Sequence, residues 1–308
     1  MSTIGVDLGG TKIEIASVSD TGVIEERITL ATDVKGGYHT ILTQISEAVR
    51  SLSKMGRGIG VGVPGQVDKL TGVIHEAPNL HWKEVPFQQD LEKYLQLPVT
   101  VINDVRAATL GEWRFGAARG LSDVLCLFVG TGIGGGIIAN NQLLSGATNC
   151  AGEFGHTLIG TERRLCRCGA LGCLEAVAGG RAIADRTYEA IHQHPTLAKT
   201  ILHCAAGGEI TARTVALAYS QGDLLAKELM AVTEEALIEG CINLVHSFNP
   251  SHLILGGGII TGFPFLLPAI DRGIKERGLK AATRHLQVVP AALGGDAGVI
   301  GAAITHLA

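Results

Sequence analysis

Residues 4–16 read Ile-Gly-Val-Asp-Leu-Gly-Gly-Thr-Lys-Ile-Glu-Ile-Ala, and residues 124–139 read Val-Leu-Cys-Leu-Phe-Val-Gly-Thr-Gly-Ile-Gly-Gly-Gly-Ile-Ile-Ala. Each is an apolar run, a turn built on glycine and threonine, and a returning apolar run. Two such copies, one per half, are not a solenoid, which needs a short fixed period; they suit a two-domain fold made by duplication. Working outward from the first copy, Thr3–Asp7, Lys12–Ser19 and Val23–Leu30 read as strands. Gly37–Lys54 carries Ile41, Ile45, Ala48 and Leu52 at near-helical spacing. Gly58–Val63 and Pro98–Asn103 are β-branched runs separated by a loop and a helix around Phe87–Leu95, and Ala107–Phe115 reads as a further helix. From the second copy, Val124–Val129 is a strand and Ile137–Ala139 its return. Leu224–Phe248 follows as a long helix, His252–Leu255 as a strand, Pro264–Arg277 as a helix, Gln287–Val289 as a strand and Asp296–Leu307 as a last helix. Alternating strands and helices predict α/β architecture with two mixed sheets.

The chain has 308 residues, enough for two ordinary domains with a sizeable core in each. Its 42 glycines are roughly double the typical share of about 7%. They cluster between apolar runs without a period, which excludes collagen and suggests tight turns and backbone–ligand approaches. A net charge of −4 offers no basic footprint for nucleic acid. The most membrane-like stretch, Leu253 to Ile270, is punctuated by glycines and prolines and reads as strand, loop and helix start. Seven cysteines, three of them within Cys166–Cys173, fit a reducing cytosol and a metal site better than a disulfide framework. Met1-Ser-Thr-Ile-Gly runs directly into a strand, so no signal peptide is expected. The expectation is a cytoplasmic protein without nucleic-acid or membrane partners.

Asp7-Leu-Gly-Gly-Thr-Lys12 is a hairpin turn whose backbone N–H groups can surround phosphate oxygens. Thr11 adds a hydroxyl, Lys12 a charge, and Asp7 can hold magnesium through water; the bland alternative is an ordinary turn with a surface lysine. Gly130, Gly132 and Gly135 match a dinucleotide fingerprint, as do Gly60, Gly62 and Gly65. That fingerprint demands a helix directly after the turn, whereas Ile137–Asn141 continues as a strand and a turn. No G-x-x-x-x-G-K-[ST] is present, so the P-loop class is excluded as well. Two phosphate-type hairpins, one per half and facing each other across a cleft, read better. Asn103-Asp104 ends the strand Pro98–Ile102, where ligands gather in α/β sheets. Its carboxylate suits a base for a hydroxyl in phosphoryl transfer, or the pair is an Asx cap for the next helix.

Cys166-Arg-Cys168-Gly-Ala-Leu-Gly-Cys173 places three thiols around glycines that permit a tight chelate loop. His156 upstream completes the Cys3His set expected of structural zinc; three unrelated thiols are the alternative. Glu153, His156 and Glu175 frame this loop. A metal holding His156 and Cys173 would carry both glutamates towards one place, where carboxylates can accept hydrogen bonds from sugar hydroxyls. Otherwise they are solvated surface acids.

Taken together these residues resemble the ROK family, named for repressors, open reading frames and kinases. The motifs are Asp7–Lys12, Pro64-Gly65, Pro78-Asn79, Asn103-Asp104, Gly130–Gly136, Ala151-Gly-Glu-Phe-Gly-His156, Cys166–Glu175 and Gly256-Gly-Gly258, in order along the chain. The resemblance implies an actin-like (ribonuclease H-like) ATPase fold with two α/β domains and a cleft between them. The boundaries expected are 1–115 plus 296–308 for the small domain and 116–295 for the large one with the zinc loop. It also implies ATP with magnesium and phosphorylation of a hexose 6-hydroxyl, with Asp104 as the catalytic base. Gly65, Asn79, Asn103, Asp104, Glu153, His156 and Glu175 would contact the sugar. Asp7, Gly9, Gly10, Thr11, Lys12, Gly130, Thr131, Gly132 and Gly134 would serve the phosphates, and Gly256, Gly257 and Gly258 the adenosine side. Zinc on His156, Cys166, Cys168 and Cys173 would order the sugar-binding loop and take no part in the chemistry.

Pro78-Asn-Leu-His-Trp82 and Gly111-Glu-Trp-Arg-Phe-Gly-Ala117 look like the glucokinase branch, which makes glucose the expected acceptor. Val105-Arg106 departs from the Ala-Asn usual there and either reshapes acceptor specificity or faces solvent. N-acetylglucosamine, N-acetylmannosamine, mannose and fructose stay open as acceptors, and polyphosphate as donor. A sugar-sensing repressor needs a helix-turn-helix before the first strand, where this sequence has only Met1 and Ser2, so an enzyme is expected. The family also suggests a homodimer or tetramer.

Overall fold

The computed structural model describes residues 2–53, 58–160 and 162–307. The chain folds as two compact units, 1–123 with 136–152 and 291–308, and 124–135 with 153–290.

In the first unit, β1 (Ser2–Leu8), β2 (Lys12–Ser19), β3 (Ile24–Ala31) and β4 (Ile59–Val63) open the fold. β5 (Gln66–Val67), β6 (Ile74–Ala77), β7 (Trp82–Val85) and β8 (Val99–Asn103) complete its strands before residue 104. β1 to β4 and β8 form one sheet in the order β3-β2-β1-β4-β8, and β5-β6-β7 a small second one. The β1–β2–β3 meander is antiparallel, whereas β1, β4 and β8 run parallel. The residues facing the helices are aliphatic and wholly buried, among them Ile4, Val6, Ile13, Ile15, Val61 and, from helix Gly37–Ser51, Ile41 and Ile45. In the later part of the chain, β9 (Val124–Val129), β10 (Ile133–Ala139), β11 (Gln142–Leu143), β12 (His252–Gly256) and β13 (Gln287–Pro290) give the order β11-β10-β9-β12-β13, with β9, β12 and β13 parallel. The 25-residue helix Leu224–Phe248 buries Leu229, Met230, Leu237, Cys241 and Leu244 within the second unit.

The C-terminal helix Ala297–Ala303 packs on β1, β4 and helix Asp104–Phe115 at backbone distance. A Cβ on Gly5 would stand 2.0 Å from the Val299 carbonyl oxygen, one on Gly60 1.7 Å from that of Ala302, and one on Gly301 1.6 Å from that of Ala107. At Gly111 the corresponding approach, to Ala297 O, is 2.5 Å. No side chain fits at these four positions without moving backbone. The glycine excess therefore serves packing as much as turning.

Most expected elements form, with informative differences. Helix Asp104–Phe115 begins three residues before Ala107 because the Asn103 side chain accepts the N–H groups of Val105 and Arg106, a side-chain N-cap. β10 begins at Ile133, so Gly134–Gly136 are strand, not turn. The reason is close approach: a Cβ on Gly135 would meet the Phe154 ring at 2.2 Å, and one on Gly136 the Thr109 hydroxyl at 2.3 Å. The β5–β7 sheet and the helices between Glu175 and Ser220 lacked a sequence signal. The expected helix to Lys54 ends at Ser51, and Lys54 lies outside the described residues.

The unit boundaries also differ from a cut after residue 115 and before 296. Residues 136–152 belong with the first unit, where Asn141 N–H donates to Ser122 O at 3.1 Å and Asn149 Nδ2 to Val67 O at 2.8 Å. The returning chain at Ala292 and Leu293 is held by Glu112, a wholly buried carboxylate that accepts both N–H groups at 3.0 and 2.8 Å and that of Ala117 at 2.8 Å. Among the described residues no helix is long and apolar enough to cross a membrane.

Gly301→Ala should lower the unfolding free energy by about 2 kcal/mol or more, as overpacking against backbone does. Gly295→Ala, which meets nothing within 4 Å, should change it by less than about 0.5 kcal/mol. Urea titration of both variants checks the contrast; equal midpoints would refute the packing role.

Candidate active site

In the first unit the parallel strands β1, β4 and β8 end together. Asp7 on β1 stands in register with Gly62 on β4 and with Glu14 on β2. A Cβ on Gly62 would lie 3.3 Å from Asp104 Cα, so the two aspartates end the strands on either side of β4. Asn103, beside Asp104, donates through Nδ2 to Gly65 O at 3.3 Å. Gly10, in the β1–β2 turn, is closely backed by Asn79, whose Cβ and carbonyl oxygen stand 3.3 Å from where a Gly10 Cβ would be. Asp7, Gly10, Gly65, Asn79, Asn103 and Asp104, scattered over almost 100 residues of sequence, thus gather at the carboxyl ends of parallel strands, where α/β sheets receive ligands. Gly9 N–H bonds Lys12 O at 2.9 Å to close the turn, and Thr32 N–H donates to Thr11 O at 3.0 Å.

Electrostatics at the turn are unusual. Glu14 is 4% exposed and takes both Lys12 Nζ at 2.5 Å and Arg27 Nη1 at 3.1 Å, while Arg27 also reaches Asp296 at 2.6 Å. Burial, and then the Glu14 charge, push the pKa of Asp7 up to about 6 against the opposing pull of Lys12. Glu14, Arg27 and Asp296 were not expected at the site. Glu14 was within reach of sequence reasoning, because residues two apart on a strand share a face and Lys12 is two residues away.

In the second unit, Gly130–Gly132 forms a closed turn, with Gly130 N–H donating to Gly132 O at 2.9 Å. The N-terminus of helix Gly180–Gln193 is tied to it: Gly180 and Arg181 N–H groups donate to Gly130 O and Thr131 O at 2.8 and 3.1 Å. Gly257, at φ 91°, follows β12 and lies against β9, where a Cβ would stand 2.4 Å from Val129 O. Gly130, Thr131, Gly132 and Gly256–Gly258 therefore collect at the ends of β9 and β12, and Gly134 sits just inside β10. Glu175 Oε2 accepts the Ile133 N–H at 2.7 Å. This glutamate braces the glycine turn as well as standing beside the cysteine loop.

That loop closes around four donors. His156, Cys166, Cys168 and Cys173 place one ligand atom each within 4.8 Å of one another. Cys168 Sγ and Cys173 Sγ are 3.6 Å apart, and Cys166 Sγ lies 3.7 Å from His156 Nδ1. Burial pushes the Cys173 thiol up to about 12, while Cys168 is held low by the Ala170 N–H. The β-bridge between Leu158 and Cys173 and the Leu174 N–H to Thr157 O bond at 3.0 Å zip the two flanks together, so the cluster is flanked by Glu153 and by Glu175. The set could hold one metal ion.

Arg106 does not face solvent. It is 4% exposed and donates from Nη1 to the Asn149 main-chain and side-chain oxygens and from Nη2 to Ser145 Oγ at 2.9 Å. The Gly111–Ala117 stretch is likewise structural: Gly111 admits the C-terminal helix, Glu112 holds the returning chain, and Trp113 Nε1 donates to Leu121 O at 2.8 Å.

With that geometry in hand, the ROK family model matches residues 3–308, and the chain belongs to the ROK family. It is 35% identical over 306 residues to a glucokinase of Halalkalibacterium halodurans, covering 97% of this chain and 92% of that protein. It is 32% identical over 308 residues to a glucokinase of Thermotoga maritima, covering 98% and 96%. Among solved structures, the ROK family glucokinase from Streptomyces griseus in complex with glucose and AMPPNP superposes with a TM-score of 0.87 at 36% identity, covering 98% of both chains. The fold is the expected actin-like α/β fold.

Two measurements test the site. Metal analysis of the purified chain should find a single bound transition metal, absent from Cys168→Ser together with part of the thermal stability; a metal-free wild type of unchanged melting temperature would remove the cluster's role. An acid whose folded pKa lies above its unfolded one contributes most at low pH and loses that contribution as pH rises through about 6. Asp7→Asn should therefore melt higher than wild type at pH 7.5, with the gap shrinking towards pH 4.5; a gap independent of pH would refute the buried-charge reading.

Proposed function

We propose that the chain is an ATP-dependent hexose kinase that phosphorylates the 6-hydroxyl of glucose, with Asp104 as general base. The observation that carries the reading is the position of Asp104 at the end of β8, against Gly62, the register partner of Asp7, and next to Asn103, which bonds Gly65. Asp104 accepts the proton of the 6-hydroxyl as its oxygen bonds the γ-phosphorus and the bond from that phosphorus to the bridging oxygen breaks, releasing ADP. Gly65, Asn79, Asn103, Glu153, His156 and Glu175 orient the sugar. Backbone N–H groups of Gly9–Lys12 and Gly130–Gly134, with the Lys12 charge, receive the phosphates, and Gly256–Gly258 the adenosine.

Magnesium fits the first of these turns. Asp7 is a buried carboxylate beside a second, Glu14, and hard oxygen donors in such a place favour that ion. Held through water by Asp7, it would supply positive charge to the phosphates. Zinc fits the cysteine loop: sulfurs about 2.3 Å from a tetrahedral ion stand about 3.8 Å apart, against the 3.6 Å between Cys168 and Cys173. It would hold Glu153, His156 and Glu175 in place without entering the chemistry.

The likeness of the chain to glucokinases supports glucose over an acetylated acceptor. A coupled ADP-release assay over glucose, mannose, fructose, N-acetylglucosamine and N-acetylmannosamine should show a clear preference for glucose. Preference for another sugar moves the acceptor, and direct detection of sugar phosphate formed from polyphosphate but not from ATP moves the donor. Asp104→Asn should retain sugar binding and lose about 10²–10⁴-fold in kcat; near-normal kcat would remove the base assignment.

A further inference from the structure

A pocket of about 600 Å3 lies within the first unit, walled by β8, helix Asp104–Phe115, the 141–149 segment and the chain at Ile304–Thr305. None of the residues assigned above to sugar, phosphates or metal lines it. Its volume is that of small-molecule sites generally, which are mostly apolar with a few convergent polar groups. Here the apolar part is Ile102, Leu110, Ile304 and the half-buried ring of Trp113.

The charged lining is of one sign: Lys69, Arg106 and Arg114, with no Asp or Glu among the described residues that line it. Two of these cations converge. Ser145 Oγ accepts from Arg106 Nη2 at 2.9 Å and from Lys69 Nζ at 3.5 Å. Arg106 is held there from within the fold, 4% exposed and clamped by Asn149, whose own Nδ2 is anchored to Val67 O at 2.8 Å. Two like charges brought to one neutral hydroxyl repel, and the repulsion is strongest where water is partly excluded. An anion seated beside Ser145 reverses its sign, and guanidinium and ammonium groups around one oxygen cluster are how phosphate and carboxylate are recognised.

We infer that this pocket binds a small organic anion, a phosphate ester or a polycarboxylate. Its charged end sits on Lys69, Arg106 and Arg114, and its carbon frame lies along Trp113 and Ile102. The apolar wall and the volume call for more than inorganic phosphate alone.

The chain has two tryptophans, Trp82 and Trp113, so in Trp82→Phe the emission reports this pocket directly, independently of any kinase assay. Titration of that variant with fructose 1,6-bisphosphate and with citrate, in parallel with inorganic phosphate, separates the two anion classes and tests the need for a carbon frame. A saturable emission change with the bisphosphate or the citrate is expected. Lys69→Glu/Arg114→Glu, both exposed positions, should weaken it by about tenfold or more with an unchanged melting temperature, as loss of two charge-assisted contacts implies. No saturation up to about 10 mM, a weak-site limit in affinity terms, would overturn the inference. So would equal affinity in the charge-reversed variant, or inorganic phosphate binding as tightly as either organic anion.

Discussion

Helix Ala297–Ala303 meets two strands and a helix with backbone against backbone, through Gly5, Gly60, Gly111 and Gly301. Everything proposed for the first unit depends on this contact. β1 and β4 lie under the C-terminal helix, helix Asp104–Phe115 lies beside it, and the aspartates Asp7 and Asp104 sit at the ends of those elements. Gly298 extends the same logic to the site itself, since a Cβ there would stand 2.5 Å from Asp7 Oδ2. The helix thus forms one wall against the carboxylate whose pKa is raised by burial. The last residues of the chain are placed by the first, and the site is built where they meet.

Glu112 supplies a second constraint of a different kind. A wholly buried carboxylate is costly unless its oxygens are hydrogen-bonded, and this one is met by three backbone N–H groups, two of them from the strand-to-helix return at Ala292 and Leu293. It converts a passing loop into a fixed re-entry. In the second unit the side chains of His156, Cys166, Cys168 and Cys173 gather between a short 3-10 turn at Phe154–His156 and the start of the helix at Glu175.

Local pattern and tertiary contact divided the determination of this protein between them. Legible in the sequence were the strand–turn–strand repeat, the α/β alternation with mixed sheets, the order of the glycine motifs and the donor set His156, Cys166, Cys168 and Cys173. These follow from period, turn chemistry and short spacing, which act over a few residues. The tertiary structure alone decided which glycines turn and which admit a neighbour: Gly135 and Gly136 look like turn residues but lie in a strand, against Phe154 and Thr109. It alone decided that Asn103 both caps a helix and reaches Gly65, that Glu14 joins the Asp7 turn, and that Arg106 is buried on Asn149 and Ser145. The unit boundaries and the small β5–β7 sheet belong to this second group. Each rests on contacts between residues far apart in the chain, and a side chain's partner across such a separation is set by packing, of which one sequence carries no local trace.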